Sequence, residues 1–352
     1  VDQAVHTLNP KRTLDATGQR LNALIFRALT QVDENLQSQP DLALRWESLQ
    51  AGKTWKFWIR SDLQDHQGRP IHAKDIAMCL EQYREGKPIS PLRGAFPTWK
   101  STRVENNSAV IVELEKPDPY FPKNVSSLRF FRTSSAVPCS EPAPNEELIG
   151  SGPMRPEKWT TQPGNEFTLI PVEPGRRTLQ FIFVKDEITR TLKMLRGEAD
   201  LAQNSFSLTK THWFRSQKGR DFSVIENDGV NVSYLAFNLS DPVLAKLEVR
   251  KAIASAIDRE PWVQNKMFGL GSLAGSLLSP LLSENLQTPS QYSPIEAEKI
   301  LDQAGYPRKK DGVRLRFRYK TTPQREGIET ALILQDLLRK IGIELTLDVV
   351  EP

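Results

Sequence analysis

The chain has few of the residues from which metal and redox centres are built. Its 352 residues include two cysteines and four histidines. None of the histidines has the spacing of a HExxH motif, no CxxC pair occurs, and the G-x-S-x-G turn of many hydrolases is absent. These absences leave an enzyme without sequence support, and we predict neither a cofactor nor a metal site.

Long apolar runs and dense basic runs are also missing. No stretch is long enough to cross a bilayer. The 47 basic and 43 acidic residues leave a formal charge of +4, too balanced for a nucleic-acid surface, so we expect no nucleic-acid contact. The nearest basic run is Arg314, Arg316, Arg318 and Lys320, which alternate with apolar residues. That period of two predicts one solvated face of a strand.

The two cysteines allow one disulfide or none. Cys79 lies in a stretch with apolar periodicity, which is typical of a buried free thiol, and Cys139 lies in a proline-rich loop. We therefore expect them to stay unpaired, and their number does not decide the redox compartment. The first residues, Val1-Asp2-Gln3, have no basic or apolar region of a signal peptide, although a processed secreted protein would begin in the same way.

The length predicts two or three domains, and the spacing of apolar residues predicts an α/β class. Helical spacing predicts a first helix that reaches Leu29, and Asn106-Asn107 predicts a hairpin turn within 104–114. The order of strand, helix and strand over 179–201 predicts a crossover in a parallel or mixed sheet. Further helices are predicted at 73–83, 249–257, 294–304 and up to Lys340, a short alternating element at 41–46, and further strands at 54–60, 232–237, 313–319 and 343–349.

A series of short motifs runs along the chain. The first are LNP at 8–10, IFRAL at 25–29, DLALRWE at 41–47, TWKFWIR at 54–60 and HQGRPIHAKDI at 66–76. The later ones are GSGP at 150–153, LRGEADL at 195–201, YLAFN at 234–238, VRKAIASAIDRE at 249–260 and AGY at 304–306. In this order they resemble the family-5 solute-binding proteins of ABC importers, which include peptide- and nickel-binding receptors. Three positions depart from the family pattern: Asp65 and Met154 replace aromatic residues, and Gln67 replaces an aspartate.

The resemblance implies a two-lobe periplasmic-binding-protein-like α/β fold of type II with an extra inserted subdomain. Lobe one is expected to comprise 1–36 and 148–228, the inserted subdomain 37–147, and lobe two 229–352. Members of the family continue past the position of Pro352, so lobe two is expected to be incomplete and its C-terminal part to be missing.

The function implied by the resemblance is that of a ligand-binding receptor. The protein would capture a peptide or similar small solute between two lobes and deliver it, as a monomer, to the permease subunits of an ABC transporter. Its expected location is the periplasm or the extracellular face of the bacterial cytoplasmic membrane. The alternative is the solute-sensing domain of a cytoplasmic transcriptional regulator, with a DNA-binding domain before Val1. An upstream signal peptide or an upstream helix-turn-helix would separate the two.

Four candidate ligand residues follow from the hinge motifs. Gln203 and Asn204 come after LRGEADL, where related receptors contact ligand, although asparagine is also a common turn residue. Tyr234 begins YLAFN and suits a mixed pocket, with core packing as the rival interpretation. Asn238 ends the same motif and is expected to brace the backbone.

Three further candidate ligand residues lie elsewhere in the chain. Arg129 matches a position at which a nickel-binding relative uses arginine for its anionic chelate, because the guanidinium group binds carboxylates in a bidentate manner. A surface ion pair is the rival role for this side chain. Thr17 and Gln19 belong to the opening segment, which lines the ligand cleft in relatives.

Overall fold

Two separate apolar cores organise the chain. The computed structural model describes residues 1–2, 5–164, 166–217, 222–227, 229–278 and 291–350. The chain divides into a first unit, Val1–Phe206, and a second unit, Ser207–Pro352. Each unit has its own cluster of buried apolar side chains. No helix among the described residues is long and apolar enough to cross a membrane.

Within its described residues, the first unit contains antiparallel sheets and four α-helices. The helices are α1 (Ala16–Ile25), α2 (Ala73–Glu85), α3 (Phe121–Asn124) and α4 (Glu187–Leu195). The strands are β1 (Thr30–Val32), β2 (Ser38–Pro40), β3 (Ala43–Leu49), β4 (Thr54–Ile59), β5 (Trp99–Glu105), β6 (Ala109–Leu114), β7 (Met154–Pro156), β8 (Glu166–Pro171) and β9 (Leu179–Ile182).

Helix α1 is shorter than its apolar spacing predicts. Its N-terminus is capped by Asp15, whose carboxylate accepts a hydrogen bond of 2.7 Å from the backbone of Gly18. It ends at Ile25 because the chain becomes extended at Phe26, and Ala28 then pairs with Arg129 as an antiparallel bridge. The prediction that this helix reaches Leu29 is therefore wrong, since a pairing distant in sequence overrides the local periodicity.

The largest sheet has the strand order β3-β4-β6-β5. Its β5–β6 hairpin turns at Asn106 and Asn107, which have φ values of 49° and 54°. Both are left-handed conformations that asparagine tolerates, so the predicted turn is confirmed. Helix α2, predicted at 73–83, packs against β5 and β6 and buries an apolar face that includes Ile76 and Tyr83.

The crossover predicted for 179–201 does not form. Strand β9 pairs antiparallel with β8 in the order β7-β8-β9, and 199–201 is not a strand. The segment 232–237 in the second unit, predicted as a strand, is not a strand either. A strand needs a neighbour for its backbone N–H and C=O groups, and within the described residues neither segment has one.

The described part of the second unit is built from helices around one pair of strands. Its elements are α5 (Leu208–Ser216), α6 (Leu247–Ala256), a short π-helix (Trp262–Lys266), α7 (Pro294–Gln303), β10 (Leu315–Thr321), α8 (Arg325–Lys340) and β11 (Ile343–Val349). Strands β10 and β11 are parallel and are connected by α8. This is the connection that parallel strands require, and it lies at the C-terminal end of the described chain.

The alternating basic residues near β10 are exposed with one exception. Arg316, Arg318 and Lys320 face solvent, as the period-two pattern predicts. Arg314, just before the strand, is only 4% exposed. Its guanidinium forms ion pairs with Asp302 and Glu298, which compensate for its burial.

Cys79 and Cys139 form a disulfide, so the prediction that they stay unpaired is wrong. Helix α2 places Cys79 on its buried face, and a backbone hydrogen bond of 3.0 Å from Cys139 to Phe131 folds the proline-rich loop over that helix. The two Cα atoms are 4.8 Å apart, within the normal range for a disulfide. Loop packing distant in sequence decides this pairing, and sequence spacing does not reveal it.

Reduction of this disulfide should lower the free energy of unfolding of the first unit by about 4 kcal/mol. The bond closes a loop with a sequence separation of 60 in the unfolded chain, which restricts that chain's conformations. Urea unfolding of oxidised and pre-reduced protein, followed by tryptophan fluorescence, measures the difference. A Cys79→Ala, Cys139→Ala double variant serves as the control and should not respond to reductant. Equal stability of oxidised and reduced wild type would contradict the role given to the bond.

Candidate functional site

Three segments distant in sequence meet in the first unit around one of the candidate ligand residues. They are the extended chain after α1, the segment 128–132, and the segment 149–152. The backbone N–H of Phe130 donates to the carbonyl oxygen of Arg27 at 2.8 Å, and that of Gly152 donates to Ile25 at 2.8 Å. Arg132 and Ile149 exchange two hydrogen bonds of 2.9 Å. These contacts fix the backbone that carries Arg129.

A buried aspartate joins this meeting point to the start of β3. The carboxylate of Asp41, which is 6% exposed, accepts a hydrogen bond of 2.7 Å from the Nη1 of Arg27. Its other oxygen accepts one of 3.0 Å from the backbone N–H of Ala28. Arg27 also donates from Nε to the carbonyl oxygen of Ser151 at 2.9 Å. One carboxylate therefore holds both the backbone and an arginine at the end of α1.

Arg129 is a half-buried cation with most of its hydrogen-bonding capacity unused. Its Nη1 donates one long hydrogen bond, 3.5 Å, to the carbonyl oxygen of Phe26. Its other guanidinium N–H groups have no hydrogen-bond or ion-pair partner among the described residues. Burial lowers the pKa of Arg129, while the negative charge of Asp41 acts in the opposite direction. The rival prediction, a surface ion pair, does not describe this side chain.

The backbone of Arg129 is attached to helix α2. The hydroxyl group of Tyr83 donates to the carbonyl oxygen of Arg129 at 2.9 Å. Burial raises the pKa of Tyr83, so the phenol remains protonated and remains a donor. Nothing in the local pattern around Tyr83 reveals this bond across 46 residues.

The other candidates in the first unit lie apart from this cluster. Thr17 is 4% exposed within α1, and Gln19 is exposed with a weak bond of 3.4 Å to the carbonyl oxygen of Leu14. Gln203 and Asn204 are both exposed after α4, and Asn204 has a left-handed φ of 49°, as a turn residue does. Among the described residues, no hydrogen bond or ion pair joins any of these four to Arg129.

The two candidates in the second unit lie on a segment that is neither helix nor strand in the part of the chain that the structure describes. Tyr234 is 72% exposed, so core packing, the rival interpretation of its role, does not apply to it. The side-chain oxygen of Asn238 accepts a hydrogen bond of 3.1 Å from the backbone of Ser240. Asn238 thus braces its own turn, which is the role predicted for it.

The described residues contain no further group that suggests chemistry. No set of three or more histidine, cysteine, aspartate or glutamate side chains among them is arranged to hold a metal ion. Two surface concavities of about 540 Å³ and 380 Å³ lie along the four-stranded sheet and α2. Neither is lined by any of the seven candidate ligand residues.

The chain matches the family described as Bacterial extracellular solute-binding proteins, family 5 Middle, over residues 37–352. That match covers most of the chain, and the protein belongs to this family. The family consists of solute-binding receptors, so the recognition made from the motifs is confirmed.

The relatives of this chain include an oligopeptide-binding protein and a probable deoxycholate-binding protein. It is 23% identical over 369 residues to the oligopeptide-binding protein AppA of Bacillus subtilis, covering 97% of this chain and 67% of AppA. It is 25% identical to the probable deoxycholate-binding periplasmic protein YgiS of Escherichia coli, covering 85% of this chain and 61% of YgiS. The chain thus spans about two thirds of the length of these two relatives.

A solved structure shares the fold. The crystal structure of NikZ from Campylobacter jejuni in complex with Ni(L-His) superposes with a TM-score of 0.78 at 24% identity, covering 100% of this chain and 73% of NikZ. The predicted α/β class with a two-lobe periplasmic-binding-protein-like fold is confirmed by this likeness.

Replacement of Asp41 by alanine should lower the free energy of unfolding of the first unit by roughly 3 kcal/mol. The change leaves the buried N–H of Ala28 and the half-buried Arg27 without their shared acceptor. Urea denaturation measures the difference. The matched control is Asp62→Ala, which removes a carboxylate that pairs with Arg60 in an exposed position and should leave stability unchanged. A loss of stability no larger in Asp41→Ala than in Asp62→Ala would contradict the role of Asp41.

Proposed function

We propose that this chain is the larger part of a receptor of an ABC importer, which captures a peptide or a similar small solute and delivers it to a membrane permease. The observation that carries the proposal is the family match over residues 37–352. The receptor binds and releases its solute unchanged, acts as a monomer, and has no nucleic acid among its partners. The lobe boundaries expected from the motifs form part of the same proposal. They place lobe one at 1–36 and 148–228, the insert at 37–147 and lobe two from 229.

The disulfide supports an extracytoplasmic location. Both cysteines are buried, Cys79 at 2% and Cys139 at 0% exposure, and the bond links α2 to the proline-rich loop. Disulfides of this structural kind persist in oxidising compartments and are rare in the cytoplasm of most bacteria. The bond favours the periplasm or the outer face of the membrane over the cytoplasm. The transcriptional-regulator alternative would place the same bond in a reducing compartment, and the relatives named above are binding proteins.

Arg129 supports a solute that carries an anionic group. Its side chain is half-buried, and its guanidinium makes a single long hydrogen bond of 3.5 Å. A half-buried cation with unused donors is stabilised by a carboxylate, which can accept two parallel hydrogen bonds from it. The carboxyl group of a peptide, or of a small carboxylate chelate, fits this requirement.

Arg129→Gln should weaken the binding of anionic peptides or chelates by roughly ten- to a hundredfold, because a charge-assisted bidentate pair is lost. Isothermal calorimetry on the full-length protein, against peptides with free and amidated carboxyl termini, measures the effect. The control variant is Arg103→Gln, whose side chain is exposed and contacts Glu113 on the β5–β6 hairpin. Its affinity should equal that of the wild type. Equal affinity in Arg129→Gln, or no solute bound by well-folded wild type, would contradict the proposal.

Tyr234→Ala and Asn204→Ala should weaken solute binding with little change in melting temperature, because both side chains are exposed. A lost neutral hydrogen bond at Asn204 corresponds to a several-fold weaker affinity. Loss of the Tyr234 ring should cost about 2–4 kcal/mol if it packs on the solute. Calorimetry measures the affinity and thermal unfolding measures the stability of the same variants, which separates a role in solute binding from a role in the fold. A lowered melting temperature with unchanged affinity would show that the residues are structural.

A further inference from the structure

The peptide group between Arg129 and Phe130 is held at both ends. Its N–H, on Phe130, donates to the carbonyl oxygen of Arg27 at 2.8 Å. Its C=O, on Arg129, accepts a hydrogen bond of 2.9 Å from the hydroxyl of Tyr83 on α2. Among the described residues, no other N–H or O–H group donates to this oxygen. The orientation of the peptide group that directly follows the Cα atom of Arg129 therefore depends on one phenol.

The disulfide packs against the same edge of the segment 128–132. The Sγ atoms of Cys79 and Cys139 lie 3.9 Å and 3.8 Å from the carbonyl oxygen of Arg129. In a disulfide they carry no hydrogen, so these are packing contacts. The N–H of Cys139 donates to the carbonyl oxygen of Phe131 at 3.0 Å, and the N–H of Phe131 donates to Cys139 Sγ at 3.4 Å. A hydroxyl group and a disulfide thus take the place that a neighbouring strand would fill on this edge.

This edge is shielded from water. Tyr83 is 1% exposed, and Cys79, Phe131 and Cys139 are at most 2% exposed. If the hydroxyl of Tyr83 is removed, water has little access from this side to replace it as a donor. A carbonyl group without a donor is unfavourable in such a place, so the peptide group is then free to turn toward another donor.

The guanidinium of Arg129 is sensitive to such a rotation. It lies at the end of a long side chain, and its one hydrogen bond in the described part of the chain is the 3.5 Å contact with the carbonyl oxygen of Phe26. Two parallel hydrogen bonds to a carboxylate require the two planar groups to be aligned. Binding groups have to be held within about 0.5 Å of the productive position by the residues that support them. The side chain supplies little of this precision, so its backbone has to supply it.

We propose that Tyr83 and the disulfide between Cys79 and Cys139 are positioning groups for Arg129, which hold its peptide group so that the guanidinium can meet a carboxylate of the solute. The inference rests on the proposed function, because it requires that Arg129 binds an anionic group. Tyr83 and the two cysteines are buried, so they act on the solute through Arg129. Their loss therefore lowers the preference for a carboxylate and leaves the other contacts with the solute in place.

Calorimetry on the full-length protein measures this preference with two probes, a random tripeptide mixture with free carboxyl termini and the same mixture with amidated termini. The preference is the ratio of the apparent dissociation constant of the amidated mixture to that of the free one. Tyr83→Phe removes only the hydroxyl and should lower this ratio by roughly three- to tenfold, the effect of one lost hydrogen bond. In an Arg129→Gln background the same change should leave the ratio unaltered, because no guanidinium is left to position.

Thr30→Val is the matched control for a loss of stability. Thr30 is 0% exposed, and its hydroxyl donates to the carbonyl oxygen of Pro122. The change therefore also removes a buried hydroxyl from a backbone carbonyl in the first unit, but at a carbonyl group other than that of Arg129. Thr30→Val should unfold at a lower urea concentration than the wild type and should keep the wild-type ratio.

The outcomes separate this inference from the proposed function. A wild-type ratio in Tyr83→Phe, with the preference lost in Arg129→Gln, would overturn the inference and leave the proposed function standing. An equal fall in Thr30→Val, or in the Arg129→Gln background, would also overturn it. A wild type without preference for the free carboxyl group would overturn the anion site and this inference together. If Tyr83→Phe does not fold, wild type with a reduced disulfide replaces it: its ratio should fall, and an unchanged ratio would overturn the inference.

Discussion

The carboxylate of Asp41 is the contact on which the arrangement of the first unit depends most. It binds the backbone N–H of Ala28 and the guanidinium of Arg27 at once. The chain after α1 is thereby held extended, and it then pairs with the segment that carries Arg129. A buried carboxylate is stable only when both oxygens are satisfied, so this geometry has little freedom. The position of Arg129, and hence the proposed anion site, follows from it.

The opening loop and the proline-rich loop are fixed by a second buried polar group. Lys11 is 1% exposed, and its Nζ donates to the carbonyl oxygen of Cys139 at 3.3 Å. Its own carbonyl oxygen accepts a hydrogen bond of 2.6 Å from the hydroxyl of Ser90. Burial lowers the pKa of Lys11, and the charge of Glu141 opposes that effect. Lys11 and the disulfide therefore act on the same loop, one through a hydrogen bond and one through a covalent bond.

Local patterns predicted the elements that depend on local contacts. The hairpin turn at Asn106-Asn107 and the helix that begins at Ser293-Pro294 both appear, because φ preference and capping act within a few residues. The predictions of strands at 199–201 and 232–237 were wrong, because a strand also requires a neighbouring strand, which no local pattern supplies. The candidate site shows the same limit. The resemblance identified Arg129, but no local pattern reveals that its backbone pairs with Ala28, about 100 residues earlier in the chain.

The close approach of GSGP to the end of α1 has a consequence for how the sequence can vary. At Gly150 and Gly152 the atoms that exclude a side chain are main-chain carbonyl oxygens, which every amino acid carries. No replacement of a neighbouring residue can remove them. A clash between two side chains can usually be relieved by changing the second side chain. A substitution at either glycine cannot be relieved in this way. These two positions should be intolerant in any genetic background, even where the residues around them have diverged.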